Sequence, residues 1–206
     1  VYDGQGKRVK KVQGATVTRF VYGVGGSLVA EYTTSSAPAS PSKEYVYGPG
    51  GLLATIEGTT VQYPTPDHLG TPRVVSGGSG QVVSRHDYKP FGETIMAGEG
   101  GRTGVGGQLY EMPDGLRHRF TGYERDLETG LDFAQARYYS KTLGRFASPD
   151  VPLTDQWEDD PQSWNLYSYV RNNPVVFVDP TGEVMMRMAD RALYGPRRNE
   201  RRRRRR

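Results

Sequence analysis

Residues 130 to 150, GLDFAQARYYSKTLGRFASPD, bring two arginines, a Gly-Arg-Phe turn and a closing aspartate into one short segment. A guanidinium binds a carboxylate through two parallel hydrogen bonds and keeps it charged, so the segment contains the parts of half an active site. The same residues also predict a plain strand, a turn at Gly144 and the return of Phe146 to the core. In that strand one face would carry Leu131, Phe133, Gln135, Arg137 and Tyr139.

Histidines and a glycine-rich loop are the other candidates for chemistry. The histidines His68, His86 and His118 lie far apart, with no glutamate or second histidine at helical spacing, so we expect no metal site. The segment EGGRTGVGG at 99–107 lacks the Lys-Ser/Thr ending and the following helix of a phosphate-binding loop, which favours a flexible loop. Cysteine is absent, which excludes disulfides and thiolate ligands, and we expect no cofactor.

The charge is divided between the body and the C-terminal end of the chain. Residues 187–206 contain ten arginines against two acidic residues, a net charge of +8, while the other residues sum to −4. Arginine clusters bind nucleic acid by neutralising phosphates. No aromatic side chain interrupts RRNERRRRRR to stack on bases, so the sequence favours a disordered, solvated tail over a nucleic-acid site.

The composition predicts a mainly β protein. Valine, threonine and tyrosine favour half-buried sheets, and the 27 glycines and 14 prolines mark frequent turns. No window sustains an apolar period of 3.6 residues over three turns, and no apolar run approaches the roughly 18 residues of a membrane helix. The chain begins at Val1 rather than Met, so we expect a C-terminal fragment of a longer protein.

A repeat of about 20 residues runs through the first half of the chain. Four segments place a glycine four residues after a tyrosine: YDGQG at 2, YGVGG at 22, YGPGG at 47 and YKPFG at 88. A fifth segment, DHLG at 67, fits more loosely. Regular spacing of this kind indicates stacked supersecondary units.

Each unit predicts a β-hairpin whose turn needs the positive φ that glycine adopts easily. A single hairpin is marginal in water, so neighbouring hairpins must pair and bury a common face. The polar insertion TTSSAPASPS at 33–42 accounts for the one longer spacing. The alternative is an ordinary antiparallel β-sandwich whose turns resemble one another by coincidence.

One short helix is expected near 165–172, NLYSYVRN. Asn165 can cap its start, and the Asn173-Pro174 dipeptide ends it. Its two tyrosines are expected to contact the core.

Tyr-Asp-x-x-Gly units at this spacing resemble the YD repeats of the RHS family. Three longer segments resemble the RHS repeat-associated core domain in the family's order: 65–93 its opening, 119–150 its centre and 165–182 its end. The chain departs from the family pattern after the double tyrosine and at Val151, and it carries an added acidic stretch, DQWEDDPQS, before residue 165.

The resemblance implies YD-type repeats over 1–62, the core domain over 63–182 and the disordered arginine-rich tail over 183–206. Stacked hairpins of this family form part of a spiralling shell that encloses a C-terminal toxin in polymorphic toxins. The resemblance therefore implies a structural encapsulation module of a toxin or cell-surface protein, secreted or on the surface of a bacterium. Its implied partners are its own toxin segment, missing here, and cell-surface or secretion-system proteins.

The resemblance also implies self-cleavage. Asp150 lies where the family carries an aspartate tied to it, and Asp179 lies in the terminal Asp-Pro-x-Gly motif. Two carboxylates that share one proton can hydrolyse a peptide, one as acid and one as base, in the manner of an aspartic protease. Arg145 is expected to hold one of them charged, and the cut is expected near Glu183-Val184. The simpler interpretation of Asp179 is a turn residue.

Other functions stay open from the sequence. Exposed tyrosines on a sheet stack on sugars, which makes a carbohydrate or cell-wall binding β-protein the alternative function. Only 24 residues follow Gly182, too few for an independently stable toxin, so we expect the toxin to be missing.

Overall fold

The computed structural model describes residues 1–4, 6–24, 26–153 and 156–187. Its main element is an antiparallel sheet of eight strands whose spatial order is the order of the sequence. This order confirms the predicted stack of hairpins. The strands are β1 (Lys10–Gln13), β2 (Thr16–Tyr22), β3 (Leu28–Tyr32), β4 (Lys43–Gly48), β5 (Gly51–Glu57), β6 (Thr60–Pro66), β7 (Pro72–Gly77) and β8 (Val82–Arg85).

One turn recurs at the repeat glycines. The Gly26 amide donates to the Gly23 carbonyl at 2.8 Å, and the Gly23 amide donates to the Ser27 carbonyl at 2.9 Å. The same pair of bonds closes the turns at 3–7, 67–71 and 89–93. The glycine in each turn has φ between 80° and 87°, a conformation that costs glycine little: Gly6, Gly26, Gly70 and Gly92.

The segment DHLG at 67, which fits the repeat only loosely in sequence, forms the same turn. Pro66 stands there in the position that tyrosine has in the other units. The unit at Tyr47 differs from the others. There β4 and β5 pair as far as Gly48 and Gly51, so the connection is a tighter hairpin.

The second half of the chain forms shorter antiparallel sheets. β9 (Asp87–Tyr88) pairs with β10 (Thr94–Ile95), and a sheet of four strands contains β11 (Glu124–Arg125), β12 (Asp132–Phe133), β13 (Tyr138–Ser140) and β14 (Arg145–Phe146). β15 (Phe177–Val178) pairs with β16 (Met186–Arg187). Three short 3-10 helices span Phe120–Gly122, Pro161–Trp164 and Val170–Asn172.

An aromatic core holds these elements together. Tyr139 is fully buried, and its ring lies 4.8 Å from Tyr169, 5.7 Å from Phe146 and 5.9 Å from Phe120, measured between centroids. The Tyr139 hydroxyl donates to the Phe91 carbonyl at 2.7 Å. Large aromatic side chains supply most of the apolar area of such a small core, so this cluster fixes how the sheets pack.

The first repeat lies against the second half of the chain. The hydroxyls of Tyr2 and Tyr138 are 2.8 Å apart, and the Arg8 guanidinium lies 3.5 Å from the Glu124 carboxylate. Towards the other end of the sheet, the Thr121 amide donates to the hydroxyl of Thr71, just before β7, at 2.9 Å. The first repeat and the β6–β7 connection therefore both contact the segment 121–138.

The segment 131–139 is not one continuous strand. β12 and β13 are joined by a tight turn in which Gln135 has a φ of 65°. Phe133, Arg137 and Tyr139 are nevertheless buried, Gly144 forms the predicted turn with a φ of 63°, and Phe146 packs into the core.

The short helix predicted near 165–172 is present only at its end, as a 3-10 turn over Val170–Asn172. The backbone from Leu166 to Ser168 pairs instead with β14 and the chain after it: the Phe146 amide donates to the Tyr167 carbonyl and the Asp150 amide to the Leu166 carbonyl, each at 2.9 Å. Backbone groups used between segments are no longer free for helical bonds.

Asn165 does not cap a helix start. It is the C-cap of the 3-10 helix Pro161–Trp164. The N-cap of that helix is Asp160, whose carboxylate accepts from the Gln162 amide at 3.1 Å. Of the two tyrosines expected in the core, Tyr169 is fully buried and Tyr167 is 43% exposed.

Two predicted boundaries meet regular structure. Residues 183–187, assigned from sequence to the disordered tail, include strand β16, which pairs with β15. The remainder of that tail, 188–206, lies outside the described residues. The division between 62 and 63 falls inside β6, and the sheet continues across it, so a domain boundary there stays a prediction.

Candidate functional site

The fold brings Asp150, Asp179 and Arg137 together. The Arg137 Nη2 atom lies 2.9 Å from Asp150 Oδ2 and 3.6 Å from Asp179 Oδ2. Arg137 lies in the turn between β12 and β13, Asp150 follows β14, and Asp179 follows β15. The two predicted aspartates therefore meet at one guanidinium, whose positive charge offsets the repulsion between them.

A close contact between two turns positions this site. The amide of Ala136 donates to the carbonyl of Thr181 at 3.0 Å, which joins the 134–137 turn to the Asp-Pro-Thr-Gly turn. Gly182 has a φ of 74°, and a Cβ atom at that position would lie 2.9 Å from the Ala134 carbonyl oxygen. Glycine is required at 182 for both reasons.

The two carboxylates have different surroundings. Asp179 is buried, and its Oδ1 atom accepts backbone hydrogen bonds from Gly182 at 2.8 Å, Glu183 at 3.0 Å and Val184 at 3.2 Å. Burial raises the pKa of Asp179 to about 6, although Arg137 and the backbone amides act in the opposite direction. Asp150 is half-buried and bound directly to Arg137. Such unequal environments assign an acid and a base to a pair of carboxylates.

The site opens into a small, mostly polar cleft. Its free volume of about 30 Å³ is room for one or two water molecules. Beside the three charged residues, the wall includes polar residues of the acidic stretch and the segments after it, among them Gln156, Ser163, Asn165, Ser168, Arg171 and Glu183. The size and the polar lining of this space therefore suit water.

The predicted cleavage segment lies in the site. Arg137 Nε donates to the Gly182 carbonyl oxygen, and the amide of Val184 donates to Asp179. Glu183 lines the cleft between these two contacts. The backbone from 182 to 184 is thus held at one end by a cation and at the other by a buried carboxyl group.

Arg145 does not have the predicted role. In the described chain its side chain is exposed, and Arg137 is the arginine that contacts both aspartates. The Arg137 guanidinium also packs over the Phe146 ring, 3.8 Å from the centroid. The sequence carried one signal for Arg137: it shares one face of the predicted strand with the apolar residues Phe133 and Tyr139, and an arginine buried among such residues needs an anionic partner.

The histidines occupy separate places. His86 is buried; burial opposes its charge, but hydrogen bonds to Asp114 and Glu111 raise the pKa of its imidazole. Burial lowers the pKa of His118 to about 4, and His68 is exposed. Over the described ranges, no cluster of three or more histidine or acidic side chains is arranged to hold a metal ion.

The glycine-rich segment 99–107 forms consecutive turns that begin with the bond from the Gly98 amide to the Arg102 carbonyl. No helix in the described part of the chain has the length and apolar character needed to cross a bilayer.

Several known proteins are similar to this chain in sequence and in fold. Residues 1–175 match the family model described as Teneurin YD-shell. The chain is 34% identical over 184 residues to a tRNA3(Ser)-specific nuclease WapA of Bacillus spizizenii, which covers 88% of this chain and 7% of that protein. It is 30% identical to Toxin subunit YenC1 of Yersinia entomophaga, covering 64% of this chain and 12% of that protein.

Two solved structures have the same fold. The Photorhabdus luminescens Tc holotoxin pore aligns with a TM-score of 0.60 at 24% identity, covering 88% of this chain and 8% of that chain. A crystal structure of TcdB2-TccC3 without its hypervariable C-terminal region aligns with a TM-score of 0.58 at 23% identity, covering 88% and 9%.

The chain thus spans a small fraction of the length of each of these proteins. The family match extends over both the hairpin repeat and the aromatic core, and it agrees with the resemblance drawn from the YD units and the three core motifs. This chain belongs to the teneurin YD-shell family.

Proposed function

We propose that the chain is a wall segment of a protein shell that encloses a C-terminal toxin in a longer, RHS-type protein. The observation that carries this proposal is the sheet of eight strands in sequence order, whose first repeat and β6–β7 connection both contact the segment 121–138. Several relatives are toxins by name, including Toxin subunit YenC1 and Toxin protein Tse5 of Pseudomonas aeruginosa. A toxin shell of this kind is secreted or displayed on the cell surface, with secretion-system or surface proteins as further partners.

Protease protection tests the shell in the full-length gene product. A toxin segment inside a closed wall should survive protease concentrations that degrade the same segment expressed alone. The cuts would be mapped by mass spectrometry before and after mild unfolding of the shell. Equal cleavage rates for the enclosed and the isolated segment would contradict encapsulation.

We further propose that the chain cleaves itself at Glu183-Val184. Asp150, paired with the Arg137 guanidinium, acts as base: it takes a proton from water while the water oxygen bonds to the Glu183 carbonyl carbon. Asp179, in its protonated form, gives a proton to the Val184 nitrogen as the C–N bond breaks. The products are a new carboxyl group at Glu183 and a free amine at Val184. Because the chain holds its own substrate, proximity lowers the entropic barrier.

Intact-mass spectrometry of the purified chain tests this reaction. Wild-type protein should lose residues 184–206 with a first-order rate that does not depend on protein concentration. Asp150→Asn should abolish the loss while leaving the circular dichroism spectrum unchanged, since asparagine keeps the shape but neither takes nor gives the proton. A full-length mass after long incubation of folded wild-type protein would contradict self-cleavage. A cut after Gly182 instead would move the scissile bond by one residue.

A carbohydrate-binding function is the second candidate. It is supported by three exposed aromatic side chains in nearby segments, Trp157, Trp164 and Tyr167, which are 60%, 53% and 43% exposed. Aromatic rings of this kind stack on sugars. Pull-down on insoluble cell-wall polysaccharide, with Trp157→Ala as the comparison, separates this function from the shell: binding that needs Trp157 would support it.

A further inference from the structure

The acidic stretch before residue 165 forms one wall of the cleavage cleft. Its described part, 156–163, is held by the Trp157 amide, which donates to the Ser163 hydroxyl at 2.8 Å, and by the Asp160 carboxylate, which lies 2.8 Å from Arg171. Gln156 and Ser163 of this stretch line the cleft together with Asp150 and Asp179. The added segment therefore contributes side chains to the site.

Gln156 has an unused acceptor at this wall. Its Oε1 atom is buried and has no hydrogen-bond partner within the described chain. Buried polar atoms nearly always have a partner, because leaving one unpaired forfeits its interaction with water. An unpaired carboxamide oxygen beside a polar cleft is therefore suited to accept a hydrogen bond from something in the cleft.

Water is the molecule that fits. The free volume of about 30 Å³ is sufficient for a water molecule, and a buried water needs two to four polar partners. Gln156 Oε1 can accept one of its hydrogens and a carboxylate of the cleft can accept the other. Asp150 is half-buried, its Oδ2 atom lies 2.9 Å from Arg137 Nη2, and it lines the same cleft.

We propose that Gln156 is a positioning residue that holds the attacking water against Asp150. The catalytic part of this inference rests on the proposed self-cleavage. With one hydrogen bound to Gln156 and the other to Asp150, the water directs a lone pair at the scissile carbonyl carbon. Asp150 removes the hydrogen that it binds, the water oxygen forms the new bond, and the hydrogen on the Gln156 side stays in the new carboxyl group. Gln156 itself neither gains nor loses a proton.

Single-turnover kinetics test the role. Gln156→Met has nearly the same length but no oxygen, so the first-order rate of self-cleavage should fall about tenfold to hundredfold. Gln156→Glu keeps an acceptor oxygen and should restore most of the rate. The matched control is Gln162→Met in the same stretch, because Gln162 is not part of the cleft wall, and its rate should equal that of wild type.

A crystal structure of the Asp150→Asn chain, which cannot cleave, tests the water site separately. A water within hydrogen-bonding distance of Gln156 Oε1 is expected, and it should be lost in the double variant that adds Gln156→Met. A dry cleft would overturn the inference, and so would wild-type cleavage rates in Gln156→Met. If the wild-type chain does not cleave at all, the proposed reaction fails, and the crystal structure alone decides whether Gln156 binds water.

Discussion

The Arg137 guanidinium binds the Asp150 carboxylate at 2.9 Å, in a contact between the β12–β13 turn and the segment after β14. Arg137 is buried, so this is an ion pair with little access to water. A buried ion pair is costly to break from one side, because the remaining charge is left without a partner. The pair is therefore the structural anchor of the proposed cleavage site.

Separate replacement of Arg137 and Arg145, the two arginines of segment 130–150, should show which of them supports self-cleavage. Arg137→Lys keeps a positive charge but loses the planar fork, so the rate of self-cleavage should fall about hundredfold or more. Arg145→Lys should cleave at the wild-type rate, since the Arg145 side chain is exposed. Time courses by intact mass, with thermal melts to confirm folding, measure both. A larger effect at Arg145 would restore the assignment made from sequence.

Asp179 should make stability depend on pH. Its pKa is raised from 3.8 to about 6, so the folded chain keeps this proton over a range in which the unfolded chain has lost it. The stabilisation is complete below about pH 4 and is lost as the pH rises to about 6. It amounts to roughly 3 kcal/mol at most.

Urea unfolding between pH 4 and pH 7 measures this effect. Asp150→Asn serves as the background that does not cleave, and the double variant with Asp179→Asn serves as the control. Because asparagine does not titrate, the double variant should lose this part of the pH slope. Identical slopes in the two proteins would mean that Asp179 has an ordinary pKa.

Gly92 should be more sensitive to alanine than Gly80. Both have a similar φ, 87° and 84°, so both substitutions carry the cost of a left-handed conformation, about 1 to 2 kcal/mol. At Gly92 the added Cβ would also lie 2.4 Å from the Phe120 ring, whereas at Gly80 it meets open space. Gly92→Ala should therefore lower the free energy of unfolding by a further 1 to 3 kcal/mol, roughly. If chemical denaturation gave equal losses in the free energy of unfolding for the two variants, the Phe120 ring would accommodate the added methyl group without an energetic penalty.

Two tyrosine hydroxyls offer a matched pair. The Tyr139 hydroxyl donates to the Phe91 carbonyl at 2.7 Å, while the buried Tyr88 hydroxyl has no hydrogen-bond partner in the described chain. Tyr139→Phe should lower the free energy of unfolding by about 1 kcal/mol or more, because it leaves a buried carbonyl unpaired. Tyr88→Phe should be neutral or stabilising. Differential scanning calorimetry of both variants checks the order, and a larger loss for Tyr88→Phe would contradict it.

Local features of the fold could be predicted from the sequence. The positive φ of Gly6, Gly26 and Gly92 is a property of the turn itself, so tyrosine–glycine spacing was sufficient to place the hairpins. The predicted turn at Gly144 and the packing of Phe146 against the core are local features of the same kind. Long motifs in a fixed order identified the family, because each motif is a local pattern that survives without knowledge of the contacts it makes.

Tertiary structure decided the details that depend on contacts between distant segments. The 134–137 turn, in which Gln135 has a positive φ, bonds to Thr181 of the Asp-Pro-Thr-Gly turn through the Ala136 amide, and it places Arg137, rather than Arg145, beside the aspartates. Likewise, the segment from Leu166 to Ser168 gives its backbone bonds to β14 and the chain after it, which removes most of the predicted helix.

The sequence by itself therefore determined the hairpin repeat, the family and the two aspartates, because each depends on residue types within a short window. Which arginine joins the aspartates and how far Asp179 is buried depend on contacts between distant residues, such as the Arg137 pairs with Asp150 and Asp179, which are 13 and 42 positions apart in the chain. Such pairings are set by packing around the Tyr139 core, where burial and shape select one arrangement among many that the sequence pattern allows.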